Sequence, residues 1–500
     1  MNSDAMTLDA ALANSARFLP ELVLTGALLL VVLVDATRAR WRDAVNFSLT
    51  AASLLGAAFL CTRLDVASDR TLWEGMVVLD PIARFFKILL IGASFLVLVM
   101  FRRSRELAGL VMSEMYALLL AVTLSNLLLA AANDIAMLYL ALEMVSITSY
   151  VMVSYMKGDR LSNEAGLKYI LFGAVSTGVM LYGLSLLYGM TGTTSIPGIQ
   201  EHLASGISDG TRWALYVVAL LIFSGFAFKT AAAPFHFWCP DVYQGAPTPV
   251  TAFLSVAPKA AGFAVMMRFF FSGLATEAAQ WDLMPTINWQ PMLIIVSVLT
   301  MTIGNIAALT QTNMKRLLAY SSIAHAGYML MGVVAASKNG ARGMMVYLLA
   351  YVFMNLGAFL VVTLIHYHDG TFDLREYPGL YRRAPLLTVA MAIFLLSLMG
   401  IPPLVGFMGK LYVFAAIVES GPIWFAVVGA VNAAIAAYYY ARVLKTMIID
   451  AGNEDKPPVA LPPLEYAWIV VLVAANVLPL LFWSQIEGWT IDSLRMYAGR

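Results

Sequence analysis

The chain has 500 residues, 61% of them hydrophobic and only 12% charged, where an ordinary globular chain is about 25% charged. Its 31 Lys and Arg against 30 Asp and Glu leave a net charge of +1. A soluble multidomain enzyme, a disordered chain and a nucleic-acid binder are excluded, and a polytopic all-α membrane protein is what remains.

A spanning helix needs about 20 mostly apolar residues. Fourteen such segments are predicted in chain order: 20–36, 44–62, 81–101, 107–129, 132–156, 164–189, 212–235, 248–271, 290–311, 317–336, 342–366, 386–418, 422–448 and 465–484. The N-terminus carries Asp4 and Asp9 and no early basic residue, so it does not read as a cleavable signal peptide. The Thr/Gly/Ser-rich connection 190–211 is expected to carry a short surface helix, and Pro and charge clusters mark loops at 368–385 and 450–464. There is neither a Rossmann glycine motif nor a P-loop. Cys61 and Cys239 lack C-x-x-C spacing and read as small apolar fillers rather than a disulfide or a thiolate site.

Orientation follows from Lys and Arg in the loops. Sixteen fall on one face: Arg38, Arg40, Arg42, Arg102, Arg103, Arg105, Lys157, Arg160, Lys315, Arg316, Arg375, Arg382, Arg383, Arg442, Lys445 and Lys456. Eight fall on the other: Arg17, Arg63, Arg70, Arg212, Lys338, Arg342, Arg495 and Arg500. The first face is therefore predicted to be cytoplasmic, with both termini on the outer, periplasmic side; Lys338 and Arg342 run against the trend.

Two segments read as broken helices. One has Ala231-Ala232-Ala233-Pro234 just after Lys229, the other Gly400-Ile401-Pro402-Pro403 just before Lys410. Proline removes a backbone hydrogen bond and clashes with the preceding turn, and in lipid the freed groups survive only where protein or water meets them. A plain proline kink explains either one alone. The pair says more, because Lys229 and Lys410 are 181 residues apart, Tyr169 and Tyr347 178, and Glu143 and His325 182. The pattern predicts an N-terminal unit of three helices at 1–106, a five-helix repeat at 107–275, a second repeat at 276–449 and a last helix within 450–500. Five is odd, so the second repeat enters the membrane inverted. Interrupted helices at corresponding places in inverted halves point to an ion or substrate path near the midplane.

The chemistry then lies in ionisable residues within apolar runs. A charge at mid-bilayer costs about 2.5–3.5 kcal/mol on the insertion scale, so such residues face inward and pair. Glu143, Lys229, Lys259 and Lys410 are the leading candidates, followed by Lys168, His236 and His325. Glu143 is too deep to snorkel, and a nearby lysine such as Lys229 would favour its charged form. One reading is a static ion pair that locks two helices, yet replacing such a pair by apolar residues is often neutral for stability. The other is a proton relay: a lysine pKa shifts readily on burial, whereas arginine stays charged. Alternating Glu143–Lys229 contact would then load and unload the amine. Lys259 reads as a relay member or as an amine satisfying local carbonyls, and Lys410 as a relay member or a cap on the broken helix. Lys168 is close enough to a helix end to snorkel. His236 and His325 read as hydrogen-bonded structural groups, with His325 strengthened by its match to Glu143. Glu114 lies nearer a helix end, Asp134 at an interface, and His366 and His368 form only H-x-H, so no metal site is assigned. Lysines, one glutamate and His325, threaded by hydroxyls and water, read as a proton wire. The aromatics are those of interfacial belts and mark no quinone site.

Four stretches carry a resemblance: "ALEMVSITSYVMV" with Glu143, "GFAFKTAAAPFHFWCPDVYQGAPTPVTAFLSVAPKAAGF" with Lys229 and Lys259, "NMKRLLAYSSIAHAGYMLMG" with His325, and "IPPLVGFMGKLYVF" with Lys410. They resemble the antiporter-like subunits of respiratory complex I, the proton-translocating NADH:quinone oxidoreductase, over segments four to thirteen. Within that family, Lys rather than Glu at 410, and an end soon after the fourteenth helix without a long lateral-helix extension, favour one of the three subunit types. The resemblance implies two inverted five-helix bundles with the seventh and twelfth helices discontinuous. It implies that Glu143 modulates Lys229, that Lys259 is the central lysine, that Lys410 links the axis to the outer face, and that Lys168 and His325 are intermediate members. It further implies a multi-pass protein of the bacterial inner membrane, packed against other complex I membrane subunits, including neighbouring antiporter-like subunits and their lateral helix, with no nucleic acid. NADH, FMN, iron–sulfur clusters and quinone would belong to other subunits, leaving no cofactor and no redox catalysis in this chain. A subunit of a multi-subunit cation/proton antiporter, with the same fold and lysines, is the second reading, and a scaffold whose buried charges are only locks is the third.

Overall fold

A computed structural model describes residues 14–66, 70–206, 208–274, 287–452 and 457–494. Asp4, Asp9, Lys456, Arg495, Arg500 and the expected repeat boundary at 275/276 lie outside the described residues. The apolar runs fold as helices. The N-terminal unit is α1 (Leu19–Ala36), α2 (Arg42–Arg63) and α3 (Pro81–Phe101). Then come α4 (Met112–Ala130), α5 (Ile135–Val153), α6 (Arg160–Thr191), the short α7 (Ile196–Ala204), α8 (Asp209–Thr230), α9 (Trp238–Gly245) and α10 (Thr248–Arg268). The later part comprises α11 (Gln290–Ala308), α12 (Met314–Val334), α13 (Lys338–Asp369), α14 (Leu380–Arg383), α15 (Pro385–Met399), α16 (Val405–Ser420), α17 (Ile423–Ile448), α18 (Pro463–Val477) and α19 (Trp483–Ser493). Thirteen described helical stretches are long and apolar enough to cross a membrane, and α15 with α16 supplies a fourteenth as a broken span. The protein is a multi-pass membrane protein, and α7 is the short helix expected within 190–211.

Two local differences from the sequence reading have simple causes. The fourth span begins at Met112 rather than 107, because Arg105–Leu107 closes a 3-10 turn and Gly109 adopts φ +82°, a left-handed conformation that suits glycine. Between α2 and α3 the chain forms a small antiparallel hairpin, β1 (Arg70–Leu72) and β2 (Val77–Leu79), turned through Trp73, Glu74 and Gly75, all at positive φ. Val78 donates its amide to Ala131, fastening the hairpin to the α4–α5 connection.

Elements recur along the chain. The helices α4 and α11 both have 19 residues and begin at 112 and 290, 178 apart. Both α6 and α13 have 32 residues, begin 178 apart at 160 and 338, and end on a left-handed glycine, Gly192 or Gly370. Asp134 and Asn313, 179 apart, each cap the next helix through a side-chain oxygen. Each also bridges antiparallel to the segment after the following long helix, at Ser195 and Asp373.

The interior is built on α10, buried at every position, with α12 and α13 around it. Glycines allow close packing there: a Cβ at Gly304 of α11 would lie 2.6 Å from the Ala324 nitrogen, and one at Gly327 of α12 2.6 Å from the Met301 nitrogen. Small residues at the contact let membrane helices approach backbone to backbone.

Candidate functional site

Both broken helices are present. The helix α8 ends at Thr230, Ala231 turns left-handed at φ +58°, and α9 resumes at Trp238. The helix α15 ends at Met399, Gly400 turns at φ +84°, and α16 resumes at Val405. An X–Pro bond is cis in each gap, at Ala233–Pro234 and Pro402–Pro403. Freed carbonyls find partners across the gap, as burial away from water requires. Trp238 Nε1 donates to the Phe228 oxygen at 3.2 Å. Lys410 Nζ donates to the oxygens of Leu398 and Met399 at 3.0 and 2.7 Å.

The two lysines are therefore not structural counterparts. Lys229 belongs to the half before its break and Lys410 to the half after, and the breaks at 231 and 400 are 169 residues apart, not 181. In its contact across the gap, Lys410 corresponds to Trp238. Likewise the 179-residue spacing of the caps of α5 and α12 matches Glu143 with Ser322 and Ser146 with His325. The three sequence spacings thus differ in worth: Tyr169 and Tyr347 keep the 178-residue register of α6 and α13, Glu143 and His325 are about a helical turn out of register, and Lys229 and Lys410 lie on opposite sides of their breaks.

A row of buried basic groups crosses the interior. Lys229 on α8 is 2% exposed and donates to Ser146 Oγ on α5 at 2.9 Å. Gly262 on α10 makes room for its stem, since a Cβ there would lie 3.1 Å from Lys229 Cγ. Lys259 on α10 donates to Ser322 of α12, at 2.6 Å to Oγ and 3.2 Å to the backbone oxygen, and lies over the Tyr243 ring at 5.9 Å. One turn on, His325 is held at both nitrogens, by the Tyr347 hydroxyl at 2.8 Å and the Tyr440 hydroxyl at 3.1 Å. A neutral imidazole accepts at one nitrogen and donates at the other, so it can pass a proton between such partners. His325 interacts electrostatically with both Lys259 and Lys410. Lys410 ends the row, its amine 5.0 Å over the Tyr328 ring. Among the described residues, none of these four basic groups has a carboxylate within 4 Å.

The other expected residues lie elsewhere. Glu143 sits one turn before Ser146, is half-buried beside Tyr139, and makes no ion pair with Lys229; a serine stands where direct pairing was expected. Lys168 is not in the row. It is part of a half-exposed cluster, 2.7 Å from Glu164 and 2.6 Å from Asp241, which also holds Arg316 at 2.6 Å. His236 is buried in the first break, its ring 4.3 Å from that of Phe237 and tilted by 32°. Asp134 caps α5 and Glu114 accepts from Tyr155. Cys61 and Cys239 are both buried and free. No described group of three or more His, Cys, Asp or Glu is placed to hold a metal.

Three buried ion pairs went unread in the sequence: Glu21–Lys87 at 2.6 Å, Asp80–Arg268 at 2.6 Å and Glu106–Lys315 at 3.1 Å. Lys87 and Arg268 sit inside apolar runs, and that was the available signal. The bridging hydroxyls of Ser146, Ser322 and Tyr440 carried no signal of their own, and Tyr347 stood out only through its spacing from Tyr169.

A helical bundle with paired broken helices and buried lysines at the gaps has the construction of membrane transport proteins. The chain belongs to the NADH:quinone oxidoreductase/Mrp antiporter transmembrane family, whose model matches residues 132–436. It is 42% identical to NADH-quinone oxidoreductase subunit N of Anaeromyxobacter sp. (strain Fw109-5), over all of both chains. Among solved structures it resembles a chain of respiratory complex I from Thermus thermophilus with bound aureothin, at 30% identity and TM-score 0.77, covering 94% of this chain and 98% of that one. A chain of the Mrp complex from Dietzia sp. DQ12-45-1b shares the fold at TM-score 0.82 and 19% identity, covering 96% and 97%.

Proposed function

We propose that this chain is a membrane subunit of an NADH:quinone oxidoreductase that moves protons outward along Lys229, Lys259, His325 and Lys410. The observation that carries this reading is the row itself: four basic groups, each at least nine-tenths buried, bonded to hydroxyls or carbonyls instead of carboxylates. A static lock would match each cation with an anion, as the chain does at Asp80–Arg268. Hydroxyls both donate and accept, so Ser146 and Ser322 suit amines that gain and lose protons. Glu143, one turn from Ser146, is the movable charge: its approach to Lys229 retains a proton there and its withdrawal releases it.

In this reading residues 107–275 and 276–449 are inverted repeats, the Arg-rich loop face is cytoplasmic, and both termini face outward across the bacterial inner membrane. NADH, FMN, iron–sulfur clusters and quinone are handled by other subunits, and neighbouring antiporter-like subunits and their lateral helix are the partners. The cation/proton antiporter reading rests on the shared family and on a likeness at 19% identity that carries the fold alone, whereas the relatives at 42% and 30% identity are an oxidoreductase subunit and a complex I chain. The test is Lys229→Ala and Lys259→Ala in the intact complex, reading NADH oxidation and the proton gradient in vesicles. Assembly with proton transport reduced about tenfold, the loss of one charged-group interaction, is expected. Undiminished transport in an assembled complex would sink the proposal. Purification without NADH-reducible flavin would shift the assignment to the antiporter.

A further inference from the structure

A cavity of about 460 Å³ lies between α2, α3, α13 and α18, away from the basic row. Its walls are apolar, with Phe47, Phe95, Leu96, Leu360 and Trp468 among them, and Phe95 meets Trp468 edge to face at 6.0 Å. Two arginines stand at one end. Arg103 is consumed by an ion pair with Glu465. Arg102 has no carboxylate within 4 Å among the described residues, and its guanidinium lies 4.6 Å over the Phe47 ring. The cavity thus joins a long apolar wall to a single uncompensated cation.

We propose that this cavity binds one molecule of an anionic glycerophospholipid, with its phosphate on Arg102 and an acyl chain along Leu96 and Leu360. Charge complementarity selects the ligand. A phosphate takes planar, bidentate bonds from guanidinium, and the apolar walls favour a hydrocarbon chain over water. Position agrees: α3 ends, and α2 and α18 begin, at the end where Arg38, Arg40, Arg42, Arg102, Arg103 and Arg105 gather. Basic pockets between membrane helices on such a face recognise anionic headgroups, and Trp468 has the ring type that settles at that level. The site is independent of the proton row, so neither proposal's failure touches the other.

The test is native mass spectrometry of the full-length chain in mild detergent, offered phosphatidylglycerol and phosphatidylcholine with identical acyl chains. The wild type should retain phosphatidylglycerol about fivefold better, the worth of one headgroup-level charge. Arg102→Gln should erase that preference and Arg102→Lys should keep most of it. Leu96→Trp, which fills the trough, should weaken both lipids. Equal retention of the two lipids by the wild type, or an unchanged preference in Arg102→Gln, would overturn the proposal. A photocrosslinker at position 96 in native membranes should label phospholipid; labelling of another polypeptide would instead show that a neighbouring helix fills the cavity.

Discussion

The side chain of Lys410 occupies the space that a Cβ on Gly400 would need: that atom would lie 2.7 Å from Lys410 Cδ. The glycine at φ +84° and the lysine that caps the carbonyls before it form one device. Gly400→Ala should therefore cost about 1–2 kcal/mol for the left-handed backbone alone, and should also push the amine off Leu398 and Met399. Thermal unfolding and proton transport should both fall. Unchanged transport with lowered stability would separate the amine's position from its role.

The two serines of the row differ in what they leave behind. Among the described residues Lys229 bonds only the Ser146 hydroxyl, whereas Lys259 holds the Ser322 backbone oxygen as well as its hydroxyl. Ser146→Ala removes a bond to a charged group worth about 1.5–3 kcal/mol, and transport should drop about tenfold. Ser322→Ala keeps the backbone contact and should lower transport only about twofold, on the modest net worth of a hydrogen bond that still has a replacement. Equal losses in vesicle assays would contradict the asymmetry.

Asp80 does two things at once. It caps α3 by accepting the Ala83 amide at 2.6 Å, and it pairs with Arg268 at the end of α10. Asp80→Ala takes the carboxylate from a buried guanidinium and should destabilise the chain by about 3–5 kcal/mol. Asp80→Asn retains an acceptor for the cap and should cost less. Unfolding in detergent ranks the two: similar losses for both would mean that the cap bond is idle, and wild-type stability in both would mean that the charge pairing is idle as well.

Glu106 gives the loop between α3 and α4 an acid limit. Burial raises its pKa, but the Lys315 ammonium and the bond from the Thr248 amide, at 2.6 Å, outweigh this and hold the carboxyl below its ordinary 4.5. A carboxyl depressed on folding adds stability above 4.5 that is lost as pH falls through the lower folded value. The wild type should lose melting temperature as pH drops below 4.5, and Glu106→Gln should flatten that limb. At pH 7 the variant should be less stable by roughly 1.5–3 kcal/mol, the range for hydrogen bonds to charged groups. An identical acid limb in the variant would assign the effect to other carboxylates.

The spans and the two breaks were legible because lipid imposes a strict rule on them: twenty apolar residues to cross, and proline only where protein repairs the backbone. The row was legible as Lys229, Lys259, His325 and Lys410 for the same reason, since ionisable groups are rare in apolar runs. Which groups touch was not. Glu143 and Lys229 were matched by opposite charge, yet a hydroxyl one helical turn away reached the amine instead. Serine in a membrane helix ordinarily bonds its own backbone, as Ser149 does to Val145, so nothing marked Ser146 as a bridge. Lys168 read either as an intermediate member or as a side chain that snorkels from near a helix end, and its partners Glu164 and Asp241 hold it at the bundle's edge.

The length of α6 and α13 sets a vertical scale for the whole molecule. Thirty-two residues rise about 48 Å at 1.5 Å each, against about 30 Å of hydrocarbon. Standing upright and centred, each rod would overhang the oily layer by about 9 Å at either end. Lys168, eight residues into α6, then lies only about 3 Å below the boundary, so its cluster with Asp241 and Arg316 marks a waterline. The last residues of α13, with His366 and His368, stand clear of it in the headgroup layer. The paired rods thus act as depth gauges, and charges near their tips can titrate with the bulk phase while those at mid-rod exchange protons only through their neighbours.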